Sequence, residues 1–186
     1  MIDKDTIKCE SVFNEERTHR YLWKRVWNKD KPIAAVIMLN PCLSDNLVTD
    51  TSTFLCCNNV TRLEKYGGIA ILNLYSLLTS KLNFRWNSDE DLNNPENNGY
   101  IQKTAAECGA VILAWGRASD NMQRVADRAD EVLELLKPYA DKLFVISDGE
   151  RTGLHPLTPS IRNQWFLEPF HYAEPSQEKS EEQAER

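Results

Sequence analysis

Four runs of apolar, largely β-branched residues recur along this 186-residue chain: Ile33–Leu39, Ile69–Tyr75, Ala110–Trp115 and Lys142–Ser147. Each reads as a buried strand, and segments of helical length separate them. That alternation predicts βαβ units, hence an α/β protein with a mainly parallel sheet covered on both faces. In such a sheet, ligands bind in the crevice outside the carboxyl ends of the strands. Two short segments fall there. Met38-Leu39-Asn40-Pro41 closes the first run, and Gly153-Leu154-His155-Pro156-Leu157 follows the last. An amide and an imidazole arriving from two different strands can form one site.

The segments between are less regular. From Thr53 to Lys65 the positions Phe54, Cys57, Val60 (or Thr61) and Leu63 fit a helix, stopped by Gly67-Gly68. Tyr21–Trp27 is β-rich, and the polar turn Asn28–Lys31 suggests a hairpin with Ile33–Leu39, a helix over Glu15–Arg25 being the competing reading. Leu82–Gly99 is Asn- and Asp-rich without period, which reads as a long loop able to act as a lid. A helix follows over Tyr100–Glu107. Another, capped by Ser119 or Asp120, carries the apolar face Met122, Val125, Ala129, Val132, Leu133 and Leu136 before Pro138. No repeat or second domain is evident, so residues 1–173 read as one domain. Residues 174–186, with five acids, two bases and no large apolar side chain, read as a disordered acidic tail.

Charge and composition narrow the partners. The net charge of −6 leaves no basic footprint of the kind avid nucleic-acid binders show. No apolar run approaches the ~20 residues that cross a bilayer. The N-terminus lacks the basic-then-apolar layout of a secretory signal, so no membrane partner and a cytoplasmic location are expected. The five cysteines (Cys9, Cys42, Cys56, Cys57, Cys108) show no C-x-x-C spacing and read as reduced, mostly buried thiols. Cys42, two residues past Asn40, would be a nucleophile only beside a cation or a helix N-terminus.

Common catalytic motifs are missing. There is no G-x-G-x-x-G, Walker loop, H-E-x-x-H or G-x-S-x-G, so no cofactor or metal is expected. What remains is a set of polar residues at strand ends. Asn40, set in extended backbone by Pro41, either closes an Asx-turn or aims its amide into the crevice. Asn73, at the next strand end, has the same two options, and an amide suits the edge of a nucleobase. His155 lies in a loop stiffened by prolines and can donate to an oxygen gaining negative charge. Asp45 and Asp50, with Thr53, precede the first helix. One of them is expected to cap it, and a carboxylate there could instead orient water.

These residues resemble a known family. Met38-Leu39-Asn40-Pro41, Asp45, Asp50, Thr53, Tyr66-Gly67, Asn73-Leu74, Ala114-Trp115-Gly116 and His155-Pro156-Leu157 look like the DUF1643 family of uncharacterised bacterial and phage proteins over about residues 20–170. Departures are Ser52 for a usual Pro, Cys42 for Ser, Thr158 for an aromatic, and Gly153-Leu154 where a basic residue often precedes the His. More distantly, the series resembles the uracil-DNA glycosylase superfamily. Asn40-Pro41 is similar to its water-positioning motif without the Asp base, Asn73 to its base-reading Asn, and His155-Pro156-Leu157 to its catalytic His loop. That resemblance implies a three-layer sandwich around a four- to five-stranded sheet. It also implies hydrolysis of the N-glycosidic bond of a damaged or modified base flipped out of DNA. Asn40, with Asp45 or Asp50, would then orient water, and His155 would steady the leaving base. Phe54 or Tyr75 would stack on it, and Pro41, Asn73 and Thr53 would complete the base-binding set. Leu157, Ile161, Arg162, Trp165 or Phe166 would wedge into or hold the DNA. The alternatives are an enzyme acting on a free nucleoside- or nucleotide-like small molecule, and a non-catalytic binding module.

Overall fold

The computed structural model describes residues 5–43 and 46–172; Asp45 and the segment 174–186 lie outside them. In chain order the elements are β1 (Lys8–Phe13), β2 (Arg20–Val26), β3 (Ile33–Met38), α1 (Thr51–Arg62), β4 (Gly68–Asn73), α2 (Asp89–Leu92), α3 (Glu96–Glu107), β5 (Ala110–Leu113), α4 (Ala118–Asn121), α5 (Gln123–Leu136), β6 (Leu143–Ser147) and β7 (Phe166–Pro169).

The sheet is mixed and has seven strands, in the order β1-β2-β4-β3-β5-β6-β7. The four apolar runs form its parallel centre, β4-β3-β5-β6. β1, β2 and β7 add antiparallel pairings at the two sides. The sheet is therefore wider and less parallel than four to five mainly parallel strands. β1 (KCESVF) mixes charged and apolar residues, and β7 (FLEP) is four residues long and largely exposed, so neither edge strand carries a long apolar run to betray it.

Alternation along the central strands feeds two cores. Ala35 and Ile37 of β3, Ala70 and Leu72 of β4, and Val111 and Leu113 of β5 face Ile101 and Ala105 of α3 and Val125, Ala129, Val132 and Leu136 of α5. Their neighbours Ala34, Val36, Ile69, Ile71, Ala110 and Ile112 face Cys56 and Val60 of α1, together with Leu154, Ile161 and Trp165. A period of two on strands buried on both sides explains why each run reads as continuously apolar.

Several local expectations change. β2 is a strand but does not hairpin with β3, because β4 lies between them. The turn after β2 crosses the start of β4, where the N–H groups of Trp27 and Asn28 both donate to the Gly67 carbonyl at 2.9 and 2.8 Å. A side chain at residue 67 would meet Asn28 O at 1.9 Å, so only glycine fits under that crossing. On α1 the buried positions are Thr53, Cys56, Asn59 and Val60, and Phe54 is exposed.

Residues 82–99 are not a free loop. They include α2, closed by a reciprocal cap between Ser88 and Asp91, and the first turn of α3. Arg124 ties them down by donating to Phe84 O at 2.6 Å and pairing with Asp89 at 2.5 Å. The helix expected from residue 119 or 120 breaks at Met122, whose backbone is extended and whose side chain is 39% exposed. Arg128 occupies the buried stripe of α5 instead, donating to Leu74 O at 2.7 Å and Asn98 Oδ1 at 2.6 Å. It thereby fastens α5 to the end of β4.

Candidate active site at the carboxyl ends of the parallel strands

A cavity of about 580 Å³ opens beyond β3 and β5, against the start of α1. Asn40, Asp50, Trp115, Arg117, His155 and Leu157 are among its walls. The segments around Asn40 and His155 therefore meet.

Asn40 reaches this wall because the β3–β4 ladder continues past the strands proper. Leu74 N donates to Met38 O at 2.8 Å and Tyr75 N to Leu39 O at 3.0 Å. The Asn40 amide nitrogen donates to Thr79 O at 2.8 Å and, more weakly, to Pro41 O at 3.3 Å. Its side-chain oxygen, Oδ1, accepts no hydrogen bond from the described residues, leaving an acceptor on the cavity wall. Pro41 is buried and accepts from Thr79 N at 3.2 Å, so strand end and loop lock together.

Asn73 behaves differently. It is 1% exposed and is not part of the cavity wall. With its amide oriented to satisfy hydrogen bonding, its nitrogen donates to Asn40 O at 3.1 Å and Leu72 O at 3.3 Å. Its own backbone carbonyl accepts from buried Asn97 at 3.0 Å. Asn73 supports Asn40 from below.

His155 is oriented by its own loop. The backbone N–H of Leu157 donates to Nδ1 at 3.2 Å, which selects the neutral tautomer carrying its proton on Nε2. Burial pushes the imidazole below its ordinary pKa, and the Asp50 carboxylate pulls it partly back. The product is a neutral donor. Gly116, at φ +69°, follows Trp115 and lies so close that a Cβ there would meet His155 Cβ at 2.7 Å. The loop is braced further by Asp148, which accepts from Arg151 at 2.6 Å and Ser160 at 2.7 Å. Those bonds hold the Asp148 carboxyl far below the usual carboxylate range.

Asp50 serves as the α1 cap. One oxygen accepts from Thr53 N at 3.0 Å and the other from Thr53 Oγ1 at 2.8 Å. It still lines the cavity, whereas Thr53 is buried behind it. Beneath them Arg20 is 1% exposed; burial lowers its pKa, and Asp50 and Cys42 oppose that shift. Asp45, the other candidate carboxylate, lies outside the described residues.

The aromatic and wedge candidates separate cleanly. Phe54 is exposed on α1 and Tyr75 is buried, its hydroxyl donating to Arg124 O at 2.8 Å; neither lines the cavity. Trp115 does, although the Ala-Trp-Gly motif marked it only as a strand end. Among wedge candidates Leu157 stands at the rim, 38% exposed. Ile161 and Trp165 are buried in the α1-side core, and Phe166 sits on β7 opposite Ser147. Arg162 is exposed and donates to Leu157 O at 3.1 Å, steadying the rim. Arg20 and Arg117 carried no sequence signal beyond being isolated cations.

All five cysteines are free, but only Cys56 and Cys108 are buried. The expectation of mostly buried thiols fails for exposed Cys9 and for the half-buried Cys42 and Cys57. Burial pushes the Cys57 and Cys108 thiols up to about 11. Among the described residues no group of three His, Cys, Asp or Glu side chains stands ready to hold a metal ion. No helix among them is long and apolar enough to cross a membrane.

Residues 20–157, about three quarters of the chain, match the family model described as a protein of unknown function (DUF1643). The chain belongs to that family. The match begins at Arg20, under the cavity, and ends at Leu157, on its rim. No curated protein and no solved structure matches the chain.

Proposed function

We propose that this protein hydrolyses the N-glycosidic bond of a nucleotide whose base has been extruded from DNA. One observation carries the reading. An uncommitted amide oxygen (Asn40) and a neutral imidazole N–H donor (His155) share one cavity at the ends of the parallel strands.

The reaction needs that pair of opposite polarities. Asn40 Oδ1 accepts a hydrogen bond from water and aims its oxygen at C1′. The C1′–N bond breaks, its electron pair leaves with the base, and the water oxygen bonds to C1′. The proton lost by water returns through solvent to the departing base. His155 Nε2–H donates to a base oxygen as negative charge develops there, an interaction worth about 3–4 kcal/mol in well-placed oxyanion donors. A neutral donor can do this without having to lose a charge first. The Asp50 carboxylate, fixed by Thr53, supplies a negative field that favours the oxocarbenium-like sugar. Without an Asp base in the position of Asn40, water activation rests on orientation, and a slow enzyme follows. Leu157 at the rim suits the gap left by an extruded nucleotide.

A second reading, a free nucleoside as substrate, is favoured by the acidic chain, whose net charge of −6 opposes DNA association. The test is alkali-labile strand scission of labelled single- and double-stranded oligonucleotides carrying uracil, hypoxanthine, xanthine or hydroxymethylated bases. The matching free nucleosides are assayed for base release. Scission that falls about 100- to 1,000-fold in His155→Ala supports the proposal. Release from nucleosides alone supports the second reading, and release from neither overturns both.

A further inference from the structure

Beyond the cavity that holds Asn40 and His155 lies a second one of about 360 Å³, and Trp115 and Arg117 line both. Its other walls include Leu113, Val145 and Phe170, with Thr152 and Gly153 at the loop side. The topology explains the arrangement. β5 lies between β3 and β6, so Trp115, two residues past β5, separates the β3-side cavity from the β6-side one. Phe170 is held in place by an edge-on contact with Tyr172, ring centres 5.1 Å apart. Both volumes fall within the roughly 300–1,000 Å³ of small-molecule sites.

We infer that the ligand carries two nucleobases joined by one phosphate, one base on each side of Trp115. This rests on the nucleotide reading above and deepens it. The Trp115 ring is half-buried and stacks on no other aromatic ring among the described residues, so its surface is open to planar ligands. Bases stack on such rings irrespective of sequence, because every base has a π-face. The cavity beyond Trp115 is apolar on its sheet side, which suits stacking, while Ser119, Asp120 and Thr152 give it polar groups on the loop side. Arg117 borders both compartments, where the linking phosphate must pass. It is 76% exposed and, among the described residues, its one ion pair is with Asp120 at the surface, a bridge that a phosphate can displace at little cost. Two compartments that share the Trp115 and Arg117 walls accept a dinucleotide step of a single strand; a free nucleoside fills only one.

Equilibrium binding of the 3′-mononucleotides and homodinucleotides of the four DNA bases, read by tryptophan fluorescence, tests this. The inference expects at least one dinucleotide to bind ten times more tightly than its mononucleotide, with quenching that disappears in Trp115→Phe. Thr152→Trp, at an exposed position lining only the second cavity, should erase the tenfold gain and leave mononucleotide binding unchanged. Val145→Phe fills the same space from the sheet side and should do likewise. Equal affinities for every pair, or a gain that survives both filling variants, overturns the inference. Mononucleotide binding or base release without a dinucleotide gain leaves the nucleotide reading standing and removes only this one. Absence of all three removes both.

Discussion

Gly116 and His155 touch: the glycine holds φ +69°, and a methyl group on it would come within 2.7 Å of the histidine Cβ. Two separate sequence motifs, Ala114-Trp115-Gly116 and His155-Pro156-Leu157, are thus one structural unit. Replacing Gly116 by Ala adds a left-handed backbone penalty of about 1–3 kcal/mol and pushes the histidine loop off the strand end. Urea unfolding should show the loss, and base release should fall with it. An unchanged midpoint together with unchanged activity would show that the contact is dispensable.

Asp50 does two separable jobs. Asp50→Ala removes the α1 cap and should cost about 1 kcal/mol in urea unfolding. Asp50→Asn keeps a capping side chain but deletes the charge that raises the His155 pKa against burial. Stability should fall even with the cap kept, because buried Arg20 loses the carboxylate that opposes its desolvation, and the His155 titration followed by NMR moves further down. A titration that does not move would mean that Asp50 leaves the imidazole untouched.

Asn40 and Asn73 should separate function from stability. Asn73 is buried and holds the Asn40 carbonyl, so Asn73→Ala should cost about 1–3 kcal/mol. Asn40→Ala loses a half-exposed bond to Thr79 and a weaker one to Pro41 and should cost about 0.5–1.5 kcal/mol, yet lose more activity. Parallel unfolding and rate measurements check the inversion.

The half-buried histidines fix a pH dependence. Burial lowers the folded-state pKa of both His19 and His155 from the ordinary value of about 6.5. Between that value and the lowered one, the unfolded chain binds more protons, so stability rises with pH. Unfolding free energy should therefore be level above about pH 6.5 and decline as the pH falls below it. His155→Gln should flatten part of that slope. A slope of opposite sign would mean that the folded state stabilises the imidazolium.

The central sheet was readable because its four strands are buried on both sides and carry unbroken apolar runs. β1 and β7 were not, since residues such as Lys8, Glu10 and Glu168 give edge strands the look of loops. The β4 insertion between β2 and β3 was hidden because nothing local marks a crossing, although Gly67 records it. At the site, Asn40, His155 and Leu157 come from segments that follow strands, Asp50 comes from the start of α1, and all four line one cavity. Asn73 sits one layer lower, because its side chain points into the sheet end and toward the Asn40 carbonyl. Trp115 was seen only as punctuation, since a single aromatic after a strand does not reveal that cavities lie on both sides of it. Residues 82–99 read as a loop because Asn, Asp and Pro serve equally as turn formers and helix caps.

The most direct measurement is the rate of base release from an oligonucleotide substrate by the wild type, Asn40→Ala, His155→Ala and the double variant. The account predicts a slow wild-type reaction, a large loss in each single variant, and a double variant little worse than the poorer single, as groups serving one reaction are non-additive. Base release that survives both single substitutions, or wild-type protein that releases no base, would contradict it.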